Sequence, residues 1–530
     1  MKFRVKMPIF VLAVFLVCVQ AAAQERVEQW GRYEVSLPGN AAGNPFDDVA
    51  LSALFTDGTQ RVTVNGFYDG NDTFKIRFMP ETTGTWSYTT QSNREELSGK
   101  TGTFVCVSAT EGNHGPVQVR GKYDFGYADG TPFYPFGTTV YAMIHQPDEL
   151  LEQTFRTLEN APFNKVRLCV FPKNYAFNDN EPPVYPFEKI DGKDPAGINN
   201  IAVWDFARFN PAFFERLEST IDRLNSLGIQ CDLILFHPYD KGHWGFDQMT
   251  RANDLRYLRY VTARLSSFRN VWWSMANEFD YMLEKTGDDW NAFLETVASN
   301  DPYGHLRSNH NGDSLFDHRH PLITHASVQS ASMLSDFGRA SLLRDAYHKP
   351  VVYDEFCYEG DFPQRWGNLS GEELVHRFWQ GAITGAYMTH GETFTSDDNV
   401  VWWAKGGVLK GESPARIGFL RGLVERTGAF RLIDNWRNLN TSVSESGQIL
   451  VYFGKETPKE WIVELPAKTR FEDGTRLKIE LVDTWNMTVT ELKENYTTQT
   501  ETRYVIGEAT GKKVKLPGKP YMALLITKID

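Results

Sequence analysis

Apolar and polar residues alternate with a period of two over the first part of the chain. Runs such as Arg61-Val62-Thr63-Val64 and Phe74-Lys75-Ile76-Arg77-Phe78 are broken by turn signals at Asp57-Gly58, Asp69-Gly70 and Thr83-Gly84. This spacing predicts a small β-sandwich over residues 24–115. From residue 116 to 432 the pattern changes to apolar strands alternating with 3.6-period segments, which implies βα units and a parallel sheet. Eight strands are expected, at Phe133–Tyr141, Asn164–Phe171, Gln230–His237, Val271–Asn277, His305–His310, Leu322–Val328, Val351–Glu355 and Ala386–His390. One helix is predicted from Pro211 to Leu227, with Phe213, Leu217, Ile221 and Leu224 on one face, Asn210 as cap and Gly228 as stop. Ser370 with Glu373 reads as a capping box, and Ser413-Pro414 as a cap followed by proline at the start of the last helix. Eight such units make a (β/α)8 barrel with insertions, the largest at about 172–209 and placed over the C-terminal face of the strands. Residues 433–530 return to strand patterning at Ile449–Phe453, Trp461–Leu465, Leu477–Val482 and Tyr521–Lys528, predicting a second sandwich.

Composition narrows the function. A formal net charge of −12 excludes a general nucleic-acid binder, which needs a basic surface. Aromatic residues make up 14% of the chain, with 14 Trp; the rings suit the apolar faces of sugars and equally the filling of large β-rich cores. Residues 1–23 read as a signal peptide: Lys2, Arg4 and Lys6, an apolar run from Pro8 to Val19, then Ala21-Ala22-Ala23. Secretion or export to the periplasm is expected, without a lipid anchor, because Val17 is a poor neighbour for Cys18 as a lipidation site. No membrane span is expected in the mature chain. Cys106, Cys169, Cys231 and Cys357 show no metal-ligand spacing, and three lie in strand-like runs, so packing rather than disulfide bonding is expected.

Residues at the C-terminal ends of barrel strands converge on one face. The fourth predicted strand ends in Asn277-Glu278 and the seventh in Asp354-Glu355-Phe356. Glycoside hydrolysis needs two carboxyls flanking one bond, one to protonate the leaving oxygen and one to attack or stabilise the anomeric carbon. An isolated Asn-Glu after a strand is commonly a helix cap with a first-turn acid; the joint placement with Glu355 favours catalysis. Asp354 and Glu359 are rivals of Glu355, the first expected to point the opposite way and the second to lie past the strand.

These motifs resemble those of glycoside hydrolase clan A, the cellulase- and mannanase-like barrels. The resemblance implies Glu278 as acid/base and Glu355 as nucleophile of a retaining mechanism. It also implies Asn277 as a substrate contact, Arg167 in Asn164-Lys165-Val166-Arg167 as support for the nucleophile, and His237 as a strand-end ligand of substrate. A strand-8 Trp is expected too, here Trp402 or Trp403, which come late, after a loop. The full layout is similar to the apiosidase-like secreted glycoside hydrolases of Bacteroidota, with an N-terminal immunoglobulin-like sandwich, and implies a plant cell-wall glycan as substrate.

His145, His237, His310, His325 and His390 fall at or near predicted strand ends, and His145, His237 and His325 are taken as substrate contacts with Tyr239, Tyr358 and Trp402. Tyr141 is a further subsite candidate. No cofactor and no catalytic metal is expected; a metal-dependent hydrolase would need close His pairs, and only His318-Arg319-His320 offers one, in a loop. Two other readings stay open: a non-catalytic glycan-binding barrel, and an endo-acting glucanase or mannanase.

Overall fold

A computed structural model describes residues 24–193, 200–330, 338–433 and 440–529. The expected signal peptide, 1–23, lies outside the described residues. At the centre stands a nearly closed barrel of eight parallel strands: β1 (Phe136–Thr139), β2 (Lys165–Cys169), β3 (Gln230–Phe236), β4 (Val271–Ala276), β5 (Arg307–Ser308), β6 (Ala326–Gln329), β7 (Val351–Glu355) and β8 (Tyr387–His390). Their order in the sheet is β5-β4-β3-β2-β1-β8-β7-β6, so every strand but β5 pairs with its successor and β8 pairs with β1. The remaining seam, between β5 and β6, is bridged by Thr324, whose N–H donates to the Arg307 carbonyl at 2.9 Å. All eight predicted strands are present. β5 is far shorter than His305–His310, and β6 starts only at Ala326, so His325 stands at the entrance of its strand rather than the exit.

The helices follow their local signals in part. Helix α1 (Pro211–Ser226) starts where Asn210 accepts the Ala212 N–H and buries Phe213, Leu217, Ile221 and Leu224 against the barrel. Helix α2 (Gly371–Thr384) is capped by Ser370, which accepts the Glu373 N–H. The other half of the expected box is diverted, because the Glu373 carboxylate pairs with Arg377 and Lys455. The last helix, α3 (Ser413–Thr427), departs from expectation: Ser413 lies inside the first turn, and the Glu359 carboxylate accepts the N–H groups of Glu412 and Ser413 at 2.8 and 3.1 Å. A cap delivered from another loop cannot be read from local spacing.

Two β-rich modules flank the barrel. In the N-terminal one, a five-stranded and a three-stranded sheet enclose a core of Tyr33, Phe55, Phe78, Trp86 and Phe104. It is fastened to the barrel by buried charges: Arg77 donates to Glu218 at 2.7 and 3.0 Å, and Arg264 pairs with Glu218 at 2.6 Å and Asp69 at 2.7 Å. The C-terminal module is built on a nine-stranded sheet, and Leu450, Tyr452, Val482 and Leu525 share a core with Phe378, Trp379 and Leu423 of the barrel helices. Among the described residues no helix is long and apolar enough to cross a membrane. The four described cysteines are free and buried.

Candidate active site

The ends of six barrel strands supply the walls of one cleft of about 520 Å³. Glu278 and Glu355 both face it, together with Lys173, Tyr239, Gln329 and Trp403. Glu278 follows β4 in a left-handed conformation, φ 51° and ψ 57°. That costs a β-carbon-bearing residue of the order of 1–2 kcal/mol and persists where the surroundings over-determine it. They do so here: Gln329, the last residue of β6, donates to Glu278 Oε1 at 2.8 Å, and the Tyr239 hydroxyl donates to Oε2. Burial, and then the charge of Glu355, push the Glu278 carboxyl up to about 8, so that it holds a proton at neutral pH.

Glu355 closes β7 and accepts the Tyr141 hydroxyl at Oε1, with Arg167 Nη1 3.8 Å away. Arg167 also donates to Asn277 Oδ1 at 2.6 Å. Tyr141 lies 3.0 Å from that same oxygen, but a phenol has one proton, and the closer Glu355 oxygen takes it. With its oxygen occupied, the Asn277 amide presents its NH2 group to Glu278 Oε2 at 3.3 Å. Arg167 Nη1 also donates to the Tyr141 hydroxyl oxygen at 3.3 Å, so one chain of polar contacts joins the two carboxyls through Tyr141, Arg167 and Asn277. Beneath it, inside the barrel, Lys165 pairs with Asp232 at 2.8 Å and Asp354 at 2.7 Å. Burial alone would raise the Asp354 carboxyl, but Lys165 and Arg167 hold it well below the usual range.

Lys173 is the residue the sequence reading missed. It is nearly buried, yet it lines the cleft, with its ammonium 3.7 Å over the Tyr141 ring and 4.1 Å over the Tyr239 ring. Burial lowers its pKa, while the neighbouring Cys169, Glu278 and Glu355 groups act the other way. Its signal was a lysine just beyond an apolar strand, in Phe171-Pro172-Lys173. Gln329 was also missed, since no charge marks it.

The family model for "Apiosidase-like, catalytic domain" matches residues 120–441, more than half of the chain. Domains of unknown function match on either side, DUF5060 over 26–93 and DUF5605 over 436–527. The chain belongs to the apiosidase-like family. A candidate glycoside hydrolase of known structure from Bacteroides vulgatus ATCC 8482 is 45% identical, covering 96% of this chain and 100% of its own, with a TM-score of 0.92. A glycoside hydrolase family 5 structure from the same organism has a TM-score of 0.55 at 15% identity over 78% of this chain and 94% of its own, which is a likeness of fold. No curated protein matches. As a member of this family the chain is a glycoside hydrolase.

Within this apiosidase-like chain the expected site residues divide into three groups. Glu278, Glu355, Tyr239 and Tyr358 line the cleft. Asn277 and Arg167 stand immediately behind it and reach the carboxyls. The three expected histidines and Trp402 do not face it. His237 donates from Nε2 to the Phe171 carbonyl and accepts the Tyr239 N–H at Nδ1, both at 3.1 Å, so neither nitrogen is left for a sugar. His145 stacks on Phe213, with Nε2 3.3 Å from the Cys169 carbonyl. His325 packs against Phe125 and Trp272 below the barrel. Burial depresses all three to about 3, keeping them neutral. Trp402 donates to Thr138 in the core, and its neighbour Trp403 takes the place in the cleft wall. The late position of that Trp has a simple cause: a short helix, Trp402–Lys405, brings the chain back to the top of β1, where the Trp403 carbonyl accepts the Tyr141 N–H at 3.0 Å.

The rivals of Glu355 are accounted for elsewhere. Asp354 points into the barrel and accepts from Lys165, Ser327 and Thr389. Glu359 caps α3. The start of the 172–209 insertion supplies one wall through Tyr175 and Phe177. Its hairpin (Phe187–Lys189 with Trp204–Phe209) instead turns down the flank, where Phe209 stacks on Tyr260 at 4.0 Å and Asn44 of the N-terminal module donates to Ala207 O at 2.9 Å.

Proposed function

We propose that this protein is an exported, retaining glycoside hydrolase that cleaves a plant cell-wall polysaccharide or a related oligosaccharide by double displacement. The observation that carries the reading is a pair of carboxyls in one cleft whose environments differ: Glu278 is held protonated by burial and by its partner's charge, whereas Glu355 sits against Arg167 and Tyr141. Glu278 gives its proton to the glycosidic oxygen as the bond to the anomeric carbon breaks, and Glu355 attacks that carbon to form a glycosyl ester. Esterification removes the negative charge that, with burial, kept Glu278 protonated. Glu278 then takes a proton from water, which attacks the same carbon and frees Glu355. Asn277, its amide oriented by Arg167, is placed to hydrogen-bond a hydroxyl beside the reacting carbon. This course requires carboxyl oxygens about 5–5.5 Å apart. The basic, apolar N-terminus supports export, and the N-terminal module is read as an immunoglobulin-like brace.

The test is a screen of purified protein against plant and microbial glycans, with wild type, Glu278→Gln and Glu355→Ala side by side. Released sugars identify the substrate, and their size separates exo from endo cleavage. Proton NMR of the first product reports the anomer. Inversion of configuration would overturn the double displacement, and equal rates in wild type and Glu278→Gln would overturn the acid assignment.

A further inference from the structure

Behind the cleft wall, between the barrel and α3, lies a second cluster that the reaction does not use. Glu359, four residues past Glu355, meets His390 at the end of β8 and Glu392 just beyond it. All three are buried, and one ligand atom from each lies within 4.8 Å of the others. A single cation with bonds of about 2.0–2.4 Å reaches atoms spaced this way.

The polar accounting at this cluster does not close with protein groups alone. Glu359 spends both oxygens on the N–H groups of Glu412 and Ser413, and Glu392 Oε2 accepts the Lys410 N–H at 2.7 Å. Glu392 Oε1 and His390 Nε2, both fully enclosed, form no hydrogen bond. They stand 3.5 Å apart, beyond a good N–H···O contact. A buried carboxylate oxygen without a partner is expensive. On its far side, His390 Nδ1 lies 3.0 Å from Thr138 Oγ1. A proton on Nδ1, donated to that oxygen, leaves the Nε2 lone pair aimed at Glu392, the arrangement common to metal-binding histidines. The loop is folded tightly over the cluster: a β-carbon at Gly411 would lie 2.3 Å from Glu359 and 2.7 Å from Glu392.

We propose that Glu359, His390 and Glu392 bind one divalent cation that clamps the loop after β7 to the end of β8. One imidazole and two carboxylates suit a first-row ion such as Zn²⁺ or Mn²⁺ better than Mg²⁺ or Ca²⁺, which prefer all-oxygen sets. The role is structural: Tyr358, adjacent to Glu359, lines the cleft, and the clamp fixes that wall without touching substrate. The assignment is independent of which residues perform hydrolysis.

The experiment uses the full mature chain, stripped with chelator and then titrated with ZnCl2 or MnCl2, comparing wild type with Glu392→Gln. Metal content by mass spectrometry should reach one equivalent in wild type, and its melting temperature should rise by several degrees on reloading. Glu392→Gln should lose both effects while giving the same circular dichroism spectrum before reloading. If that variant fails to fold, Co²⁺ added to stripped wild type decides: visible d–d bands at one equivalent, displaced by Zn²⁺, are expected. Less than a tenth of an equivalent bound and a melting temperature indifferent to the ions would overturn the site. Metal-dependent stabilisation retained in Glu392→Gln would overturn this choice of ligands.

Discussion

At the scale of single residues, the cleft is governed by what surrounds each carboxyl. Because Glu278 needs its proton for the first step, activity should fall as pH rises through about 8. Glu278→Gln should lower turnover of substrates with poor leaving groups by about 10²–10⁴-fold and spare activated aryl glycosides in the glycosylation step. The same group makes a stability prediction. Its folded pKa is raised, so the native state binds the extra proton between about 4.5 and about 8, and the stability this gives is present below that window and lost as pH rises through it. Glu278→Gln should therefore melt above wild type at pH 8, with the gap closing at pH 5; a gap that is constant across that range would contradict the proton accounting. Lys173 acts on this equilibrium from its place over the two tyrosine rings. As a nearby cation it lowers the Glu278 pKa, so Lys173→Met should move the basic limb of the rate profile upward. A basic limb unmoved in Lys173→Met would remove lysine from the mechanism.

At the scale of elements, what was legible in the sequence was what short-range physics decides. Period-two and period-3.6 patterns located all eight barrel strands, and Asn210 and Ser370 announced their helices because a cap acts within three residues. The two carboxyls were legible because a strand end delivers its residue to the barrel mouth whatever the loops do. The histidines misled for the complementary reason. A His near a strand end is drawn either to the cleft or to an unpaired carbonyl, and His237 and His145 found the carbonyls of Phe171 and Cys169, contacts that depend on how neighbouring strands stagger. Ser413 shows the same limit, since its helix is capped by Glu359 from a loop far away in sequence. A pair of substitutions separates local from delivered caps. Ser370→Ala should cost about 1 kcal/mol of stability. Ser413→Ala should stay within about 0.5 kcal/mol, because its hydroxyl has no hydrogen-bond partner while its N–H remains held by Glu359. Urea melts of the two variants check the difference, and equal losses would show that Ser413 does cap.

At the scale of the whole molecule, the flanking modules are fastened to the barrel by opposite means. The C-terminal sheet shares an apolar core with α2 and α3, a contact that weakens gradually if trimmed. The N-terminal module instead sends Arg77 out of its sheet into a buried charge cluster on the barrel, where Glu218 also pairs with Arg264 and Arg264 in turn with Asp69. Such a cluster adds little net stability over a well-packed apolar contact, but breaking it is costly, since the charges left behind are already out of water. In Arg77→Ala, Glu218 keeps Arg264 and Glu34 keeps Lys75, but Glu34 loses its guanidinium partner, the Arg264 carbonyl loses the Arg77 donor, and the Phe67 and Phe268 rings lose a cation over their faces. The expected loss is about 3 kcal/mol, and it should appear at the seam between module and barrel. Hydrogen exchange should accelerate in the strand Thr73–Phe78 and in Arg251–Leu265, the helix carrying Arg264, before it does around β4 and β7. The cleft lies at the far ends of the strands, so kcat for a small aryl glycoside should stay within about twofold of wild type below the melting range. If Arg77→Ala removed activity in the folded protein, the N-terminal module would have to be counted as part of the active site.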